Sequence, residues 1–119
     1  MDEWGVPPEV VELYRKAIEE ACLIEGQAIL NAALQIVPRR TDALANSGVV
    51  DSWWSENIFY VTVGFGTTPE TEVYAVVQHE RLDYKHPPGQ SAKYLEIPAL
   101  ARQAGMDQRI AAYVAAKVQ

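Results

Sequence analysis

Val10, Leu13, Tyr14, Ala17, Ile18, Ala21, Ile24, Ala28, Ile29, Ala32 and Ile36 recur at spacings of three and four residues. That spacing predicts an amphipathic helix. Pro7-Pro8 suits a helix start, where the first amide hydrogens lack partners in any case. Glu9 and Glu12 favour the positive end of the helix dipole, and Pro38 closes the run. The helix spans about 40 Å at ~1.5 Å per residue. Two outcomes stay open for so long an element: Gly26 bends it back over a sheet, or part of it overhangs and seeks a partner.

Beyond Ile36 the period changes. Val37 to Gly48 reads as a connector, in which Thr41 or Asp42 caps a short turn of helix through Asn46. Val49–Trp54 and Ile58–Phe65 are rich in β-branched and aromatic residues and predict two strands around the turn Ser55-Glu56-Asn57. Phe59, Val61, Val63 and Phe65 alternate onto one apolar face of the second strand. Adjacent strand residues point to opposite faces, so Trp53 and Trp54 cannot both enter one core. Asp51 shares a face with Trp53 and is costly to bury unpaired, which puts Trp53 outward and Trp54 inward. Exposed tryptophan is enriched at protein interfaces.

Gly66 to Thr71 follows as a loop. Val73–Val77 reads as a third strand, or as a strand running into a short helix over Gln78–Lys85. Pro87-Pro88-Gly89 forces a loop. A helix begins near Ala92, with Pro98 tolerated early in it and a kink if late. Gly105 separates Lys93–Ala104 from a last helix, Asp107–Val118, capped by Asp107 and carrying the stripe Ile110, Tyr113, Val114, Val118. The pattern predicts one α+β domain over residues 1–119: a long N-terminal helix on a small antiparallel sheet, with C-terminal helices beside it.

Composition changes this picture little. A 49% hydrophobic and 22% charged chain of 119 residues is ordinary for a globular domain. One cysteine leaves no intramolecular disulfide. No secretory leader and no bilayer-spanning apolar run is evident, so synthesis in a reducing cytoplasm and no membrane partner are expected. The net charge of -6 argues against gripping nucleic acid by its phosphates; it is compatible with a wall past which DNA slides and equally with a charge that serves only solubility.

Candidate chemistry is sparse. His79-Glu80 invites a metalloprotease reading, yet that motif needs a second histidine four residues on, where Asp83 stands; His86 is further away. Gly64-Phe65-Gly66 begins like a dinucleotide fingerprint, but Pro69 occupies the third glycine's place. Cys22 sits among apolar neighbours, as an inert buried thiol would. Ser52, Ser55 and Ser91 lack the glycines of a nucleophile elbow. No catalytic residue, no metal and no cofactor are therefore expected. The basic spot Arg39-Arg40 would suit docking of an acidic neighbour. Together with Trp53, His79, Glu80 and His86 it makes up the candidate interface residues.

A resemblance adds to this reading. Val37-Pro38-Arg39-Arg40-Thr41-Asp42-Ala43-Leu44-Ala45-Asn46-Ser47 is similar to a Val-Pro-x-x-Thr-Gly-x-Leu-x-x-Ser segment of the neck, or minor capsid and tail-completion, proteins of long-tailed phages. Asp42 replaces the familiar glycine. A Val-Thr-Val-Gly strand at Val61–Gly64 follows, then Tyr74-Ala75, His79-Glu80, His86, Gly89 and Lys93-Tyr94-Leu95-Glu96 in the same order. The resemblance implies a non-enzymatic virion protein at the head–tail junction, made in the host cytoplasm. Copies would form a ring, hexameric or matched to a dodecamer, around a channel through which DNA passes without specific binding. Partners would be other neck, connector and tail-tube proteins. A tail terminator or head-closure stopper is the nearest alternative. A bacterial α+β ligand-binding or metal-dependent module using His79, Glu80 and His86 is the alternative from another class.

Overall fold

Helix α1 runs Pro8–Leu34 and opens on the proline pair, with the Pro7 carbonyl accepting the N–H groups of Val10 and Val11 at 3.0 and 3.1 Å. The computed structural model describes residues 5–36, 46–65, 73–78 and 93–119. After Leu34 the chain turns, and the Gln35 and Ile36 N–H groups reach back to Ala32 and Ala33. Ile36 thus lies outside the helix that its spacing predicted.

The helix passes through Gly26 unbroken, so Gly26 is no hinge. Its missing side chain serves close approach instead: a Cβ there would meet Val61 Cγ1 at 2.6 Å and Val50 Cγ1 at 3.3 Å. The buried face also departs from the predicted stripe. Ala17, Ala21 and Ile29 are buried as expected, but Leu13, Tyr14, Ile24 and Ile36 are exposed. Cys22, Glu25, Gly26, Leu30 and Ala33 take their place inside. Small residues let neighbours approach α1 from more than one side, so the buried face is not set by the largest side chains.

Strands β1 (Val49–Ser55), β2 (Ile58–Phe65) and β3 (Val73–Gln78) form an antiparallel sheet in the order β1-β2-β3. Ser55 pairs with Ile58, which leaves a two-residue turn, Glu56-Asn57, in place of the three-residue turn expected. Glu56 takes φ 56°, a conformation that tight hairpin turns demand of their first residue and that glycine adopts more readily. Phe59, Val61, Val63 and Phe65 are buried against α1, as their alternation predicts. Each such burial is worth roughly 1.5–3 kcal/mol.

Helix α2 (Lys93–Gln103) holds Pro98 past its first turn, and Gly105, at φ 77°, reverses the chain into α3 (Met106–Lys117). Asp107 does not cap α3. Gly105 holds the cap position with no side-chain hydrogen bond, because the turn is so short that the helix has begun before Asp107. Leu95, Ala99, Met106 and Ile110 complete one core with α1 and β2. The described residues therefore form an α+β fold in which α1 packs on the sheet and on both C-terminal helices.

Candidate protein-interaction site

The sheet has a packed side and an outward side, and β1 shows the division residue by residue. Val49, Asp51, Trp53 and Ser55 are exposed, whereas Val50, Ser52 and Trp54 are half-buried. Trp54 belongs to the joint with α1. Its indole N–H donates to Glu19 Oε1 at 2.7 Å, and its ring lies 5.1 Å from that of Phe59. The Arg15 guanidinium sits over it at 4.5 Å while also reaching Asn57 Oδ1 at 3.3 Å. Helix α1 thereby holds the hairpin at both the indole and the turn.

Trp53 faces the other way. It remains 45% exposed, stacked on its cross-strand partner Tyr60 with ring centroids 5.4 Å apart and planes 8° from parallel. Val49, at 55% exposure, lies on the same outward side. The stack fixes the indole at little further entropic cost, since a cross-strand aromatic pair orders both rings before any partner arrives. The Asp51 argument thus assigns the two tryptophan faces as they are found. Such a surface can bind by burying aromatic area.

Two grooves flank the N-terminal turns of α1. One, of about 780 Å³, runs against α3 between Tyr14, Ile18, Ile110 and Val114. The other, of about 500 Å³, lies against the hairpin between Val10, Tyr14, Ile18 and Trp54. Tyr14 forms the ridge between them. On the α3 side Tyr113 donates its hydroxyl proton to Glu20 at 2.7 Å, which raises the phenol pKa.

Among the described residues the most heavily buried charge is Glu25, which is not one of the candidates. Glu25 is 3% exposed on α1 and takes a bidentate pair from Arg102 of α2, Nε to Oε1 and Nη2 to Oε2, both 3.0 Å. Arg109 of α3 joins it, Nη2 to Oε1 at 2.8 Å, and also donates to the carbonyls of Ala104 and Arg102. Burial pushes the Glu25 carboxyl up, but hydrogen bonds and charge from both arginines outweigh it and hold the group below its ordinary value. Arg102 is correspondingly held more firmly protonated. Cys22 lies nearby, and burial, reinforced by the Glu25 charge, pushes its thiol up to about 12. A carboxylate set between Cys22 and Ile29 on an otherwise apolar face was the available signal; its partners, 77 and 84 residues away, gave none.

Of the six candidate residues, Trp53 is placed on the outward face. Arg39, Arg40, His79, Glu80 and His86 lie outside the described residues, so nothing here brings them to Trp53. Among the described residues no three His, Cys, Asp or Glu side chains gather as a metal site, and no helix is long and apolar enough to cross a membrane. Comparison with known proteins returns no matching family model, curated protein or solved structure.

Proposed function

We propose that this chain is a non-enzymatic assembly protein of the head–tail junction of a long-tailed phage. In this reading its copies form a ring around the DNA channel and bind other neck, connector or tail-tube proteins. The observation that carries the reading is the outward Trp53–Tyr60 stack on a sheet whose opposite side is filled by α1. An ordered aromatic pair in solvent gains most by being covered, and buried tryptophan is a typical interface anchor. The resemblance of the Val37–Ser47 and Tyr74–Glu96 segments supplies the setting. The net charge of -6 fits a lumen that leaves passing DNA unbound.

The test contrasts the two tryptophans. Trp53→Ser should leave the melting temperature near that of the unaltered chain while blocking incorporation into tailed particles, a loss of about 2–4 kcal/mol of binding. Trp54→Ser should instead lower stability by about 3 kcal/mol, since it empties part of the α1–hairpin joint. Particles that incorporate Trp53→Ser at the normal level would remove the basis of the proposal.

A further inference from the structure

The closing pair of the hairpin fixes which way every backbone group of β1 points. Ser55 and Ile58 flank a two-residue turn and so exchange both hydrogen bonds. By alternation Val49, Asp51, Trp53 and Ser55 direct their N–H and C=O groups towards β2, and Val50, Ser52 and Trp54 direct theirs to the opposite edge. Among the described residues no strand pairs with that edge. An open edge is a template for another chain, and the sequence here invites one. Val-Val-Asp-Ser-Trp-Trp-Ser is apolar and aromatic, carries a single charge and contains neither proline nor glycine.

One side chain stands against such pairing. Asp51 Oδ1 accepts the N–H of Ser52 at 2.9 Å, and Ser52 is the central residue of the strand and one of those facing the open edge. An incoming strand would have to displace the carboxylate from that donor. In an antiparallel pairing of two β1 strands centred on Ser52, each Asp51 would lie opposite Trp53 of the other copy and diagonal to its Asp51, roughly 7–8 Å away, with no positive charge on either strand to offset the two carboxylates.

We infer that Asp51 guards the β1 edge against the β1 strand of a second copy, so that association of this chain is confined to its faces. The guard itself stands on the hairpin register and the Asp51–Ser52 hydrogen bond. Only the corollary, that neighbours meet through the Trp53 face, rests on the assembly reading above.

The experiment compares the full chain with Asp51→Val and Asp51→Thr by sedimentation over a concentration series and by amide hydrogen exchange. In the dilute unaltered chain the Val50 and Trp54 amides should exchange rapidly. Both variants should shift with concentration to the mass of two chains or more, with new protection at Val50, Ser52 and Trp54. Valine and threonine favour strands, so the variants should keep the hairpin. Variants that keep the mass of the unaltered chain would overturn the guard. So would variants that associate while those three amides still exchange fast, because the contact would then be through an enlarged apolar face. Particle incorporation of Trp53→Ser is read separately, so the guard and the assembly reading can fail independently.

Discussion

Two neighbouring residues of α1 make joints of opposite kinds. Gly26 faces the sheet, where Val50, Val61 and Val63 close on a backbone that has no side chain to keep them away. Glu25 faces α2 and α3, where a buried carboxylate is held by two arginines. The contact at Gly26 depends on shape: its strength comes from apolar area and contact distance, and no charged group takes part in it. The second depends on charge balance, and it suffers most from loss of Glu25, which leaves both arginines without their anion. At these two positions the helix meets the sheet by close fit and the C-terminal helices through an ionic cluster, while Glu19 and Arg15 hold Trp54 nearer its N-terminus.

The largest difference between the joints should appear on removing the carboxylate. Glu25→Ala leaves Arg102 and Arg109 facing one another without an anion, and we expect about 3 kcal/mol of lost stability, the low end for breaking a buried pair because both arginines retain access to water. The loss should be local in character. Amide exchange should rise first in α2 and α3, with the α1–sheet amides following only at global unfolding. Simultaneous acceleration throughout would mean that the joints are not separable.

Gly26→Ala should have a smaller effect, and its sign sharpens the comparison. Alanine favours a helix by about 1 kcal/mol over glycine. Against that gain, the added methyl would press on Val61, a fully buried side chain in a packed layer, at a cost of about 1–3 kcal/mol. We expect a net loss of about 1 kcal/mol in chemical denaturation, independent of pH. A stabilised variant would show that the sheet yields more easily than its packing suggests.

The smallest effect is the acid response. The folded-state pKa of Glu25 lies below the ordinary value of 4.5, so its contribution is fully present above that value. As pH falls, the unfolded chain takes up the proton first, and the contribution drains away until the folded-state pKa is passed. The denaturation midpoint of the unaltered chain should therefore drop more steeply below about pH 4.5 than that of Glu25→Gln. Parallel curves would place the acid sensitivity elsewhere.

The sheet-side joint was partly legible in the sequence and the charged one was not. Alternation on Ile58–Phe65 picks out the buried face of β2, and one aspartate sorts Trp53 from Trp54. Proline at the start and periodicity after it are enough to find α1. Which side of α1 is buried was harder to read, because Ile24 and Ile36 look like core residues and are exposed, while Ala33, Cys22 and Gly26 are inside. Hydrophobicity ranks side chains by size, whereas close helix packing selects small ones. Gly26 reads as a breaker until Val61 is known to lie against it. Glu25 has no local partner at all, and no helical or strand period reaches Arg102 or Arg109. Serine is a turn-favouring type, yet the pairing with Ile58 keeps Ser55 in the strand.

The adjacency of Glu25 and Gly26 also bears on how this chain can vary by inheritance. Each position answers to a different distant part of the gene, Gly26 to the codon of Val61 and Glu25 to those of Arg102 and Arg109. A side chain at 26 becomes acceptable in a lineage where 61 has first become smaller. The carboxylate at 25 can be given up only where both arginines have been replaced. Two consecutive codons would then drift on separate schedules, and an alignment of descendants should show them co-varying with different columns and not with each other.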